Sequence, residues 1–216
     1  NGTERVLVNI EDLGANRFLV EKTKGTSPYT GKLFSESGSY KIPHTIERLK
    51  DGIFYLSFTR VKRIPLILVL KALGLTKDED IMKAVTTEEQ FDEVLVNIFE
   101  YINIKNSEDA IDQMAKLMGI TQTKDIRLQR MTEIIDRFLL PHVGNDPTDR
   151  VAKAHNLCKM IRKFILAVRG RIQLDDKDHY ANKRIKMSGD LLADLFRTNI
   201  KVLIGDLLYN FQRIVK

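Results

Sequence analysis

The chain has 216 residues, 43% of them apolar and 30% charged, with no low-complexity tract. That is enough to bury one large core or two small ones, and it excludes a disordered polymer. No apolar run approaches the ~20 residues of a bilayer span, because the longest, IPLILVLKALGL at 64–75, is short and carries Lys71.

The net charge of +6 is unevenly laid out. Residues 1–64 hold 11 Lys and Arg against 7 Asp and Glu, a balance of +4. Residues 65–150 hold 10 against 16, a balance of −6, and residues 151–216 hold 14 against 6, a balance of +8. Basic ends of this kind fit polyanion partners, or solvated faces matched to acidic neighbours in the same fold. The one cysteine, Cys158, sits in a helical pattern and cannot close an internal disulfide, which favours a reducing, intracellular setting. The sequence opens on Asn1, and a strand-like pattern begins almost at once without a signal or transit segment. A piece of a longer polypeptide is therefore expected.

Strands are predicted at RVLVNI (5–10), RFLVEKT (17–23), GKLFSES (31–37) and GIFYLSF (52–58), separated by LGAN, GTSPYTG and ESGSYKIP. After Pro65 the period changes to that of helices. PLILVLKALG starts on a proline and stops on Gly74. Thr87 and Gln90 fit a capping box for a helix whose Phe91, Val94, Leu95, Ile98 and Ile102 share a face. Ser107 begins a helix with Ile111, Met114, Ala115 and Met118 inward, and DIRLQRMTEIIDRFLL runs to Pro141. Asp146-Pro147 opens a helix to about Arg169. It has Ala154, Leu157, Ile161, Ile165 and Val168 on one side and Lys159, Arg162 and Lys163 outward. The last stretch, from Ser188, is helical with Gly205 as a possible kink, and its apolar surface is broader than one packed face requires. The fold class is α+β: a small antiparallel sheet, a mostly helical body and a long C-terminal helix.

GTSPYTGKLF lacks the spacing of a phosphate loop, since five residues separate Gly25 from Gly31, Leu33 follows Lys32, and Pro28 removes a donor. His44, His142, His155 and His179 are too dispersed for a zinc site, and no local signature marks a nucleophile.

The densest chemistry is DDKDHYANKR at 175–184. Asp175, Asp176 and Asp178 have the chemistry for Mg²⁺, but Lys177, Lys183, Arg184 and Lys186 repel a cation. Asp178 and His179 are adjacent in sequence and do not face each other on most backbones. A loop whose aspartates neutralise nearby cations is the bland reading. A nucleic-acid surface, with Lys and Arg on phosphate and Asp and Asn on base edges, is the best functional one.

This segment with its continuation SGDLLADLFR resembles the D-D-x-D-H-x-x-N-[KR]-R…GxLL…F segment of the second-largest subunit of multisubunit DNA-directed RNA polymerase. NGTERV (1–6), IPLILVLKALG (64–74) and FLLPHVG (138–144) resemble three further landmarks of that family in the same order. The archaeal or eukaryotic branch is the nearer, most of all the archaeal one. The resemblance implies a lobe at 25–170, flanked by protrusion segments at 1–24 and at 171–216 (a connecting loop and a long helix). The apolar surface of 189–216 would pack on protrusion segments outside this chain. It also implies a non-catalytic part of a nucleotidyltransferase, cytoplasmic in an archaeon and nuclear in a eukaryote. No cofactor is expected in this chain, because the catalytic Mg²⁺ belongs to an aspartate triad of the largest subunit and DFDGD is absent here. DNA and other polymerase subunits are the implied partners, with initiation or elongation factors as further ones, and no membrane.

By the same resemblance Asp178 is a base-edge acceptor near the non-template strand, and Lys183, Arg184 and Lys186 are phosphate or base contacts. His179 and Asn182 shape the loop. Ala181 departs from the usual Gly and would be strained by ~1 kcal/mol or more if its φ were positive. Lys183 in place of Arg loses bidentate capacity toward guanine. The rival expectation is a docking platform for transcription factors or inhibitors on the acidic middle, around Asp78–Asp80 and Glu88–Glu93. An independent nuclease has little support, because no carboxylate set is free of neighbouring positive charge.

Overall fold

The computed structural model describes residues 2–25, 27–38, 40–59, 61–86 and 91–215. It forms two compact units, Ala15–Ser37 with Lys41–Asp176, and Asn1–Gly14 with Gly38–Tyr40 and Lys177–Lys216. These divisions fall outside the 24/25 and 170/171 joints read from the sequence.

The larger unit carries a five-stranded sheet in chain order. Its strands are β2 (Phe18–Lys22), β3 (Tyr29–Ser37), β4 (Tyr40–Arg48), β5 (Phe54–Phe58) and β6 (Val61–Pro65), following β1 (Ile10–Leu13) of the smaller unit. The pairs β2–β3, β4–β5 and β5–β6 are antiparallel. In β5 the alternation is clean, with Phe54, Leu56 and Phe58 buried and the residues between them half-buried. Gly31 in β3 faces the Phe18 ring so closely that a Cβ would lie 2.3 Å from its tip. The absent side chain is what admits the aromatic there.

Three of the four expected strands are β2, β3 and β5. Of 5–10 only Ile10 enters a strand, while residues 2–9 have no regular structure and Val6 and Val8 are exposed. An alternating pattern needs a surface to cover one of its faces, and none covers these valines. Conversely β4 begins inside ESGSYKIP, read as a separator, and β6 lies in a stretch to which the sequence pattern assigns no strand. Pro43 made β4 look broken, but the β5 register starts at His44, one residue beyond it. In β6, Arg63 has φ +50° beside an irregular register, a bulge that hides the strand from a period-2 reading.

Among the described residues six α-helices complete this unit: α1 (Leu66–Ala72), α2 (Asp78–Val85), α3 (Asp92–Glu100), α4 (Ser107–Leu117), α5 (Lys124–Phe138) and α6 (Arg150–Val168). Every residue of α1 is buried, as expected of a helix apolar on all sides. It ends on Gly74, at φ +105°, with Gly74 N–H donating to Lys71 O and Leu75 N–H to Leu70 O. This is the paired bond pattern of a left-handed C-terminal stop, and α4 and α6 end in the same way on Gly119 and Gly170. Asp146 caps the 3₁₀ turn Pro147–Asp149 that leads into α6. The expected capping box at Thr87 and Gln90 lies outside the described residues. Ile102, expected on the inner face with Phe91, Val94 and Ile98, is 47% exposed because α3 has already ended.

Two buried polar side chains hold these layers together. His44 stacks on Phe58, with ring centroids 5.6 Å apart. Its Nδ1–H donates to Ile42 O at 3.1 Å, which leaves Nε2 to accept from Leu140 N–H at 3.1 Å. Leu140 itself has φ +45°. Lys71 is 1% exposed and donates to Tyr101 O (2.8 Å) and Ile104 O (3.0 Å), with Asp78 Oδ1 2.9 Å away as an ion pair.

Burial pushes the His44 imidazole down from 6.5 to about 4. The unfolded chain therefore takes up a proton that the folded chain refuses. Stability is full above about pH 6.5 and falls as pH drops to about 4, by roughly 3 kcal/mol at full amplitude. Urea unfolding at pH 7 and pH 4.5 checks this: His44→Asn lowers stability at pH 7 and removes most of the loss between the two. Replacing Lys71 by Met leaves two carbonyls and Asp78 without their cation. The unfolding free energy should fall by about 2–4 kcal/mol, read from the denaturation midpoint.

Candidate nucleic-acid interface

The smaller unit pairs β1 with β7 (Lys183–Lys186), antiparallel, with Ile10 opposite Lys186 and Leu13 opposite Lys183. Gly14 N–H donates to Asn182 O at 2.8 Å and closes the ribbon at the 3₁₀ turn Tyr180–Asn182. The unit ends in α7 (Ser188–Val215), a single 28-residue helix that Gly205 does not interrupt and in which no residue is buried. Met187 N–H donates to Asp190 at its start.

The dense ten-residue stretch is divided by this architecture. Asp175 belongs to the larger unit. Its N–H donates to Val20 O at 3.0 Å, and its carboxylate accepts from Val20 N–H at 2.9 Å and from Lys163 at 2.7 Å. It is a clip on the edge of β2, and density in sequence is not density in space. Asp176 also falls in the larger unit, whereas Asp178, His179, Asn182, Lys183, Arg184 and Lys186 all lie in the smaller one.

The local geometry of those six follows from their order. His179 Nδ1 accepts from Ala181 N–H at 3.0 Å, which starts the turn, and Asn182 ends it, so both shape the loop. Ala181 is absent from the non-glycine residues with positive φ, so a side chain there meets no backbone strain. Along β7 the side chains alternate, placing Lys183 on one face and Arg184 and Lys186 on the other. The expected cations therefore split between two faces of a narrow ribbon.

Lys183 pairs with Glu11 at 2.5 Å, and that hydrogen bond holds its ammonium above the ordinary range. It also sits 5.7 Å from the Tyr180 ring centre. Lys186 reaches Asp194 at 3.4 Å, and Arg184 donates to Lys183 O at 2.7 Å. Lys183 and Lys186 are half-buried and their carboxylate partners exposed, and pairs this open to solvent contribute little and exchange with water or phosphate. Tyr180, 76% exposed beside these cations, was passed over in the sequence. An aromatic within a basic run is the signal that marks a stacking position.

The other motifs are spoken for by structure. In FLLPHVG, Leu140 serves His44, and His142 Nδ1 lies 2.7 Å from Ser35 Oγ. Gly31 and Lys32 of the rejected phosphate loop sit inside β3. Cys158 is buried, which pushes its thiol up to about 12. Among the described residues no three His, Cys, Asp or Glu side chains converge as a metal site, and no helix is long and apolar enough to cross a membrane.

The acidic middle has a local cause. Eight of its sixteen carboxylates (Asp78, Glu79, Asp80, Asp92, Glu93, Glu108, Asp109, Asp125) occupy first turns of α2 to α5. There they complement the positive helix ends. Of the acidic stretch 88–93, residues 88–90 lie outside the described residues, and Glu93 is bound by Arg169 at 2.6 Å. Burial, the largest single effect, would raise the Glu93 pKa, but the Arg169 hydrogen bond, a backbone hydrogen bond and the charges of Arg169 and Arg48 together outweigh it, and the net shift is downward.

The family described as RNA polymerase Rpb2, domain 2, matches residues 14–186. The chain is 41% identical to DNA-directed RNA polymerase subunit Rpo2 of Saccharolobus solfataricus over 99% of its length and 19% of the relative's. It is 39% identical to subunit Rpo2N of Methanocaldococcus jannaschii, over 99% of this chain and 44% of the other. With Rpo2N of Halobacterium salinarum the identity is 36%, over 99% and 42%. The chain thus spans less than half the length of these relatives.

The clip and the ribbon separate in experiment. Asp175→Ala should cost about 1–3 kcal/mol, because it leaves Val20 N–H without its acceptor and the Lys163 ammonium without its counter-ion, with only Phe18 O still bound. Lys183→Ala should shift the unfolding midpoint little, and thermal unfolding of the two variants side by side tests the contrast.

Proposed function

Because this chain belongs to the RNA polymerase Rpb2 domain 2 family and is a piece of the polymerase's second-largest subunit, we propose that it forms one wall of the DNA cleft. Its role there is to steady the open bubble. The larger unit corresponds to the lobe, and the terminal segments to parts of the protrusion. Nucleotidyl transfer and its Mg²⁺ belong to the largest subunit of the assembled enzyme, in an archaeal cytoplasm, and this chain contributes contacts rather than chemistry.

The observation that carries the reading is the β1–β7 ribbon with its adjoining turn. Lys183, Arg184 and Lys186 lie within four residues, and their pairs with Glu11 and Asp194 are exposed enough to be exchanged for phosphate. Asp178 supplies a base-edge acceptor, and Tyr180 offers a ring on which an unpaired base can stack. An unstacked strand is better matched to that set than a closed duplex. The rival reading, a factor-docking platform on the acidic middle, is weakened by the helix-end placement of half its carboxylates.

Binding of bubble and duplex DNA to the chain across a salt series tests the proposal. Preference for the bubble is expected, with steep salt dependence and a slope shallower by about 0.7 for Lys183→Ala. In assembled polymerase, Asp178→Ala and Lys183→Ala should shorten open-complex lifetime without affecting assembly. Unchanged lifetimes in both variants would remove the contact role.

A further inference from the structure

A second basic feature lies wholly within the larger unit. A groove of about 360 Å³ runs between the turn before β2, the turn after α5 and the outer side of α6. Arg17, Lys159 and Lys163 line it, together with Asn16, Asn156 and His142. No carboxylate is among its lining residues, and Phe18, Leu33 and Met160 give it an apolar floor.

The groove is held in shape independently of any ligand. Asn16 adopts φ +59°, and its carboxamide is fixed at both ends by Glu36: Nδ2 donates to Glu36 O and Oδ1 accepts from Glu36 N–H at 2.8 Å. That turn delivers Arg17 to the rim. Lys163 is fixed by Phe18 O at 2.7 Å and by Asp175 at 2.7 Å. Lys159 lies one helical turn earlier, about 6 Å along the axis, is exposed, and makes no ion pair among the described residues. His142 is neutral at pH 7, because burial and the nearby Lys153 push its pKa down. The groove therefore offers cationic donors, the carboxamide oxygen of Asn156, whose Nδ2 donates to Ala152 O at 3.0 Å, and a neutral ring on a preformed apolar floor.

We propose that this groove binds the phosphodiester backbone of a nucleic-acid strand. Arg17 and Lys159 contact phosphates, and Asn156 Oδ1 accepts from a sugar or base edge, while Asn16 stays bound to Glu36 and shapes the rim. The floor is what favours a strand over an acidic peptide: it can seat a sugar or a base between cation-held phosphates, whereas a run of carboxylates has no use for it. The site is built from residues of the larger unit, the ribbon from residues of the smaller one; it adds to the function proposed above, and each can fail without the other.

The test uses the full chain, labelled with ¹⁵N, titrated with a 12-residue oligothymidylate while backbone resonances are followed over a salt series. Shifts at Arg17, Asn156 and Lys159 are expected. In Arg17→Ala/Lys159→Ala binding should weaken several-fold, with a slope of log affinity against log salt shallower by about 1.4. Lys163 stays in place because it holds Asp175, and thermal unfolding confirms that the double variant is folded. Unchanged affinity and slope in that variant would overturn the proposal. So would a polyglutamate peptide that moves the same resonances at equal charge concentration, which would make the groove an acidic-peptide site. Inorganic phosphate moving them as strongly as the oligonucleotide would overturn it as well, leaving a free-anion site. Shifts confined to Lys183–Lys186 and abolished by Lys183→Ala would sink the groove while leaving the ribbon reading intact.

Discussion

A lysine inside a fully buried helix sets the arrangement of the larger unit. Lys71 cannot shed its charge cheaply or reach solvent, so carbonyl oxygens must come to it. Those of Tyr101 and Ile104 close the connection between α3 and α4 over the end of α1, and Asp78 brings in the start of α2. Ser107, the first residue of α4, adds a hydroxyl donated to Ala72 O at 2.7 Å. Three helices are thereby indexed to one ammonium. Lys153 in α6 repeats the device, fully buried and donating to Asp136 O at 2.7 Å and to Ile135 O at 3.3 Å, which closes the end of α5.

The same constraint explains why two motifs that resemble a DNA-binding enzyme serve the assembly of the body. IPLILVLKALG is a core helix with its stop signal, and FLLPHVG is a turn whose backbone and imidazole answer His44 and Ser35. They specify how the body is assembled. The chemistry available to a partner is left to short exposed segments, the β1–β7 ribbon and the rim of the α6 groove, where charge is displayed on a frame fixed from behind. Opposite charges follow the same logic. Carboxylates gather at helix starts, where they lower the energy of the fold, and cations recur on the ribbon and on α6, several of them paired as Lys183 is with Glu11 and Lys163 with Asp175.

Much of the body was legible in the chain. The shift from period 2 to period 3.6 at Pro65, the Gly74 stop and the Asp146-Pro147 start all correspond to elements found. Strands β4 and β6 were hidden, since Pro43 and the Arg63 bulge break the alternation that a strand is recognised by, and pairing partners restored it. At the candidate site the residue types were visible but their grouping was not. Asp175 and Lys183 stand eight positions apart in one charged run, yet one serves β2 and the other the β1–β7 ribbon.

By itself the sequence determined the fold class, the family and the local elements, because periodicity, turn residues and caps act over a few positions and leave their mark there. Only the tertiary structure decided which charges are spent inside and which are displayed. That Lys71 and Lys153 are internal ties, that Asp175 is a clip, and that Arg17 and Lys159 share a groove depends on elements up to 155 residues apart, as with Asp175 and Val20. Side-chain charge carries no signature of its eventual burial; the packing of distant segments assigns it.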